Sequence, residues 1–149
     1  MKKVLYIDMD NVLVDFTSAI PTLSPHILAE YEGRLDEVPG IFSKMEPMPG
    51  AIEAFARLAT LFDTYILSTA PWLNASGWSD KVCWVQKHLG VPAYKRLILS
   101  HHKNLNRGDF LVDDRRMNGA DSFEGEMILF GSPLFPDWQS VTKHLLARV

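Results

Sequence analysis

The sequence predicts an α/β fold: a doubly wound parallel sheet with a small helical insertion after its first strand. Three observations carry that expectation. Short apolar runs ending in polar residues recur, VLYI before Asp8, TYIL before Ser68, RLIL before Ser100, FLV before Asp113 and MILF before Gly131. Such runs read as strands buried on both faces. Amphipathic helical patterns lie between them, which implies right-handed crossovers in a layered sheet. One stretch, Phe16 to Glu46, leaves the alternation altogether.

Taken in order, the first strand ends on Asp8 and Asp10, spaced i and i+2, and apolar residues follow at once. The insertion comes next, with a weak helical pattern around His26 to Glu32 and then a loop rich in Gly and Pro. It returns at Pro47-Met48-Pro49-Gly50, so residues 16–46 are expected to form a short cap over the carboxyl ends of the strands, where such sheets place their ligands. A helix then runs from Ala51 to Leu61, with Ile52, Phe55, Leu58 and Ala59 on one face. Another, Asp80 to Leu89, carries Val82, Val85 and Leu89 and is closed by Gly90 and Pro92. The last starts at an Asp137 cap and continues through Trp138, Val141, Leu145 and Leu146. There are no internal repeats, and residues 1–149 are expected to form a single domain.

Composition narrows the function. With 47% hydrophobic residues the chain matches an ordinary globule. A formal charge of -3 and the absence of any Lys/Arg run argue against polymeric nucleic acid, whose binding needs a basic stripe. Met1-Lys2-Lys3 opens like a signal peptide, but Asp8 and Asp10 break the apolar run that should follow. No run approaches the ~18 apolar residues of a membrane span. No membrane partner is expected, and the expected location is cytoplasmic. The lone Cys83 excludes an intrachain disulfide and reads as a buried small hydrophobe, not a catalytic thiol.

In a parallel sheet every strand's carboxyl end points to one edge, so the residues closing these runs converge. Asp8 and Asp10 on one strand face repel each other unless a cation or a phosphoryl group lies between them. Their plain alternative is a strand end followed by a helix cap. The other strand ends favour chemistry: they bring Ser68 and Thr69, then Lys103 in the turn after the third run, then Asp113 and Asp114. A phosphate monoester is a dianion whose transfer needs positive charge and donors around its oxygens, with an in-line nucleophile. Mg2+ and Lys103 would supply the charge, and Thr69 a hydroxyl and backbone N–H groups. Asp8, the Asp10 main-chain carbonyl and Asp113, with Asp114 beside it, offer the oxygen ligands of octahedral Mg2+. Asp8 is expected to be the nucleophile that forms an aspartyl-phosphate. Asp10 is expected to protonate the leaving oxygen and later activate water.

This order of residues resembles that of the haloacid dehalogenase-like (HAD) phosphatases, whose first motif, hhhhDxDx[T/V][L/V]h, is met by VLYIDMDNVLV. Thr69 looks like the second motif, Lys103 the third, and Gly108 to Asp114 the acidic fourth. A closer resemblance is to the 5'(3')-deoxyribonucleotidases, through DMDNVLVDF, MPGAIEAF, ILSTAP, KVCWVQKHLG, LILSHHKNLNRGDFLVDDR and FPDW. It covers most of the chain outside the insertion. The resemblance implies a Rossmann-like (HAD-like) fold and a Mg2+-dependent phosphatase acting on deoxynucleoside or nucleoside monophosphates. It further implies that Phe16 stacks on a nucleobase or walls the substrate pocket, and that Arg115 orients near the phosphate. Their plain alternatives are cap core for Phe16 and a solvated charge for Arg115. Asp15 is expected to cap the helix entering the insertion.

Three departures stand out. Asn11 occupies a tight turn where these phosphatases usually have Gly, and Asn is the next most tolerant residue of a left-handed backbone, so the turn is expected to survive. Ala70 stands where a second hydroxyl often follows Thr69, leaving a backbone N–H as phosphate donor. The insertion is short and lacks the aromatic-rich cap of the animal enzymes. His101-His102 reads as a surface turn, since adjacent histidines point apart and no partner spacing supports zinc. Trp72 and Trp78 flank a polar loop, Leu73 to Ser79, and either could line the mouth of the site. Trp84 reads as helix core, Met45 and Met48 as gap-filling side chains, and Asp109 as a strand-entry residue.

Two alternatives accompany the nucleotidase expectation. One is a phosphatase for sugar phosphates or another small metabolite; the other, of a different class, is a non-catalytic phosphate-sensing module, which the presence of both Asp8 and Asp10 speaks against. A receiver domain is disfavoured by the order of its acids: there the paired acids lead, whereas here Asp-x-Asp comes first and the double Asp late. Oligomeric state and the base and sugar preferred do not follow from motif or spacing.

Overall fold

The computed structural model describes residues 1–149. Seven strands form, β1 (Val4–Ile7), β2 (Val14–Asp15), β3 (Glu46–Pro47), β4 (Asp63–Ser68), β5 (Leu97–Leu99), β6 (Phe110–Asp113) and β7 (Glu126–Leu129). Five of them make a wholly parallel sheet in the order β5-β4-β1-β6-β7. All five apolar runs of the sequence become its strands, with Ser68 drawn into β4 and Phe130 left just past β7. From β1 the chain builds outward to β4 and β5 on one side, and later to β6 and β7 on the other. A parallel sheet opens a crevice at such a switch point, beyond its carboxyl ends. Asp8 and Asp10 follow β1 into that crevice.

The side chains of β1 alternate between two cores. Leu5 and Ile7 join Ile66, Val112 and Ile128 in the larger one, against α2 (Ala51–Leu61), α3 (Ala75–His88) and α4 (Trp138–Leu146). Tyr6 points the other way with Leu67 and Leu111, covered by Ala120 of a short 3-10 segment and by Phe123 just after it. Helix α2 buries Ala51, Ala54, Phe55 and Leu58, the i, i+3, i+4, i+7 stripe of an amphipathic helix. Burying Phe55 and Leu58 contributes about 1.5–3 kcal/mol each. Helix α4 starts with a reciprocal cap, Ser140 N–H donating to Asp137 Oδ1 at 2.8 Å and the Asp137 N–H to Ser140 Oγ at 3.4 Å.

Strands β2 and β3 pair antiparallel at the base of the insertion, so the chain leaves and returns at one point. Between them lie α1 (Pro25–Glu30) and three 3-10 turns, Phe16–Thr22, Leu35–Glu37 and Ile41–Lys44. The helix is shorter than its sequence pattern, with Ser24 Oγ accepting from Ile27 N–H at its start. The last turn buries Ile41 and Phe42 beside α3. Trp84 Nε1 donates to Met45 O at 3.0 Å and Asn74 Nδ2 to Val38 O at 3.0 Å, which fastens the insertion to α3 and its start.

Helix α3 departs from expectation in three ways. It begins at Ala75, not Asp80, so Trp78 lies on a helix and not beside a loop. Gly77 in its first turn obscured that start; a Cβ there would come within 3.2 Å of the Phe42 and Pro71 side chains, so the glycine lets them pack closely against the helix. The buried face is Gly77, Lys81, Trp84 and Val85, followed by Leu89 at the cap; of the expected Val82, Val85, Leu89 stripe Val82 alone turns out, 41% exposed, and Lys81 takes the inward place beside it. Cys83 rotates outward with Val82 and is exposed, contrary to the buried role its type suggested. Trp84, expected in the core, is there.

Candidate active site

The turn after β1 is held on both sides. Asp8 N–H donates to Val112 O at 2.9 Å, and the N–H groups of Val12, Leu13 and Val14 all point to Met9 O. Asn11 sits at φ +60°, the left-handed geometry the turn requires, so Asn indeed serves where Gly is usual. Trp138 Nε1 reaches across from α4 to Val12 O at 2.8 Å, which gives the FPDW segment a purpose: it braces the turn that carries the acids.

Asp8, Asp113 and Asp114 each turn a carboxylate oxygen into one group, all within 4.8 Å of one another. Lys103 is 3% exposed and reaches between two of them, 3.1 Å from Asp8 Oδ1 and 2.6 Å from Asp113 Oδ2. Three acids face one cation. Burial pushes the Asp8 carboxyl up to about 7, an effect that Lys103 opposes and that Asp113 and Asp10 reinforce. Burial likewise raises Asp114 to about 6, with the Asp8 charge adding to it. Burial alone would lower the Lys103 ammonium, but Asp8 and Asp113 overcome that and hold it above the ordinary lysine value. Asp114 Oδ1 is buried with no partner.

Asp10 belongs elsewhere. Its carboxylate, expected as the acid/base, turns away from that group, and Oδ2 accepts from Lys81 Nζ at 3.1 Å while Oδ1 is buried and unpartnered. Only its main-chain carbonyl stays available for a metal role. Lys81 also donates to Ser68 Oγ at 2.7 Å and to Thr69 O at 2.9 Å, and is itself fully buried.

A narrow slot is lined by Asp8, Asp10, Thr69, Lys103, Asp113, Arg115, Met117 and Asn118. It adjoins a cavity of about 610 Å³ that shares Asp10, Thr69, Arg115 and Asn118 and adds Phe16, Phe42, Ala70 and Trp72. Most of the residues expected at the site are thus brought together. Phe16 fulfils both of its readings, lining the cavity while packing edge-on to Phe42 at 6.0 Å. Trp72 is 78% exposed at the cavity wall, whereas Trp78 stands behind it against His101. Arg115 is exposed, with its N–H donating to Asp113 Oδ1 at 3.1 Å. The Thr69 hydroxyl, expected to donate to phosphate, donates instead to Ser100 O at 2.8 Å, tying the ends of β4 and β5 together. Asp15 caps no backbone N–H; its carboxylate accepts from the Thr17 hydroxyl. Asp109 does act at strand entry, Oδ2 accepting from Val4 N–H at 2.8 Å.

Sequence reasoning missed four residues of this region. Phe42 and Lys81 left no local trace. His101 was read as part of a surface turn, yet it lines the cavity. Asn118, at φ +53°, could have been found from the Asn118-Gly119 turn signal just after the acidic motif.

A profile of the family described as 5' nucleotidase, deoxy (Pyrimidine), cytosolic type C matches residues 34–142. The chain belongs to this family. Members of this deoxyribonucleotidase family are phosphoric monoester hydrolases of the 5'-nucleotidase type. A candidate 5'(3')-deoxyribonucleotidase of Vibrio phage KVP40 is 60% identical over 147 residues, covering 99% of this chain and 86% of its own length. The human 5'(3')-deoxyribonucleotidase of cytosolic type is 31% identical over 139 residues, 73% of this chain and 69% of its own. Among solved structures, a haloacid dehalogenase-like hydrolase from Xanthomonas campestris superposes with a TM-score of 0.62 at 10% identity, covering 98% of this chain and 95% of that one. A candidate HAD hydrolase of Bacillus subtilis bound to magnesium follows at 0.58 and 13% identity, covering 91% and 90%. At those identities the likeness shows the fold, and it is HAD-like. No helix of the chain is long and apolar enough to cross a membrane.

Proposed function

We propose that the chain is a Mg2+-dependent phosphatase that releases phosphate from deoxynucleoside or nucleoside monophosphates through an aspartyl-phosphate at Asp8. The observation that best supports this is the charge imbalance after β1, where Asp8, Asp113 and Asp114 crowd together and Lys103 is the one cation in ion-pair contact with them. Buried carboxylates of that density call for a further dication, and an oxygen-only set suits Mg2+. Asp8, Asp113, Asp114 and the Asp10 carbonyl would hold it. When bound, Mg2+ supplies positive charge to the phosphate oxygens and the nucleophile.

The chain's own groups do the rest. An Asp8 carboxylate oxygen attacks phosphorus in line as the bond to the leaving oxygen breaks. Asp10 gives that oxygen a proton, then takes one from the water that attacks the aspartyl-phosphate, so inorganic phosphate leaves and Asp8 is restored. Lys103 and Arg115 balance charge on the transferring group. Backbone N–H groups of Thr69 and Ala70 are the donors, since the Thr69 hydroxyl is committed to Ser100.

Residues 16–46 act as the cap of a single domain, contributing Phe16 and Phe42 to the cavity, with Trp72 opposite from the sheet edge. Three aromatic rings beside a slot lined by acids and a lysine suit a flat base joined to a phosphate. Family membership and the names of the relatives point to the same substrate class. A phosphate-release screen over nucleotides and sugar phosphates with Mg2+, using EDTA and Asp8→Asn as controls, tests the reading. Release from nucleotides, abolished by both controls, is expected. Release from sugar phosphates alone would overturn the substrate, and release surviving both controls would overturn the mechanism.

A further inference from the structure

A lysine in mid-helix ordinarily reaches water, and α3 has an apolar alternative one residue on. Yet the helix turns Val82 out and Lys81 in, to 0% exposure. A buried ammonium is tolerated only when its donors are satisfied. All three are: Asp10 Oδ2 at 3.1 Å, Ser68 Oγ at 2.7 Å and Thr69 O at 2.9 Å. The Phe42 ring covers the ammonium at 4.8 Å, so the group also touches the insertion. No donor is left for a phosphate oxygen, and Lys81 lines neither the slot nor the cavity.

Asp10 shows the complementary pattern. Oδ2 is occupied by Lys81, whereas Oδ1 is buried without a partner in a residue that lines both slot and cavity. A carboxylate free to rotate about its χ angles would exchange the two oxygens; one anchored by a buried ion pair cannot do so cheaply. We infer that Lys81 is a positioning residue, which fixes Asp10 through Oδ2 so that Oδ1 alone exchanges the proton with the leaving oxygen. Phe42 ties that geometry to the seating of the insertion.

This rests on the proposed role of Asp10, and the test separates the two. A nitrophenyl phosphate expels a stable anion and needs little proton donation, whereas a nucleoside monophosphate expels an alkoxide and needs it fully. The ratio kcat/KM includes only steps up to departure of the leaving group, so it isolates this half-reaction. Lys81→Met should lower kcat/KM on the nucleotide by on the order of 10²-fold, and on the nitrophenyl ester by less than about tenfold. Equal losses on both esters would overturn the inference. In an Asp10→Asn background Lys81→Met should cost nothing further on the nucleotide; losses that multiply would mean that Lys81 acts independently of Asp10. Should Lys81→Met fail to fold, Ser68→Ala removes one anchor while keeping the charge. It should show the same leaving-group selectivity at a few-fold size, and a loss without selectivity would overturn the inference. If wild type cleaves the nitrophenyl ester but no nucleotide, the nucleotide reading falls by itself. The Lys81 ratio is then read against glycerol phosphate, another alkoxide ester.

Discussion

Asp8 and Asp10 stand two residues apart on one turn and occupy opposite electrostatic settings. Around Asp8, three carboxylates crowd about the one lysine that ion-pairs with them, and burial raises two of them well above the ordinary range. Around Asp10, one carboxylate meets one lysine whose remaining donors are taken up by Ser68 and Thr69. The Asp8 side is short of positive charge and poised to receive it. The Asp10 side is balanced and poised only to move a proton. Two chemically identical side chains thus acquire different work from what the neighbouring strands and α3 bring to them.

The comparison is broken most completely at Asp8. Asp8→Asn should lower turnover by about 10⁴-fold or more, measured as phosphate release, with the fold intact. Asp10→Asn should lower kcat by about 10²- to 10⁴-fold with little change in KM, because its proton moves in the transition state. A loss confined to KM would place Asp10 in binding instead. Asp114→Asn removes one acid from the crowded side, and should raise the Mg2+ concentration needed for half-maximal rate by about 10- to 100-fold without altering kcat at saturating metal.

The pH dependence of stability separates the two sides without substitution. Asp8 and Asp114 lie at about 7 and about 6 in the folded protein, against an ordinary 3.8. The folded state therefore binds more protons than the unfolded chain between those values. The stability these groups contribute is complete below about pH 4 and is lost as pH rises through 6 and 7. In EDTA, Tm should fall over that window, and the Tm gain from added Mg2+ should grow with pH. A gain that shrinks as pH rises would contradict the assignment. Smallest is the effect of Trp138→Phe, which leaves Val12 O unpaired at the base of the shared turn. It should cost about 1–3 kcal/mol, read as a Tm decrease of roughly 2–4 °C per kcal/mol, and lower activity on both sides alike.

Most of the fold was legible because strands buried on both faces must be apolar throughout, and each of the five runs became a strand. The Asp8 side was legible for a related reason: parallel strands end at one edge, so Asp8, Lys103, Asp113 and Asp114 could be brought together from their positions alone. Helix α3 was harder. Its glycine and serines hid where it starts, and its apolar pattern placed Val85 and Leu89 inward correctly but chose Val82 where Lys81 is buried.

By itself, then, the sequence determined the α/β sheet, the switch point after β1, and the Asp-x-Asp, Thr69, Lys103 and Asp113-Asp114 set, since each follows from local pattern and strand direction. Tertiary structure alone decided that Lys81 points inward and Cys83 outward, that Phe42 walls the cavity, and that the Thr69 hydroxyl is spent on Ser100. Periodicity describes the faces a helix has, whereas the partner opposite chooses which face is buried. For Lys81 that partner is Asp10, 71 residues away in the chain, and a buried ion pair is worth its desolvation only when both ends are present.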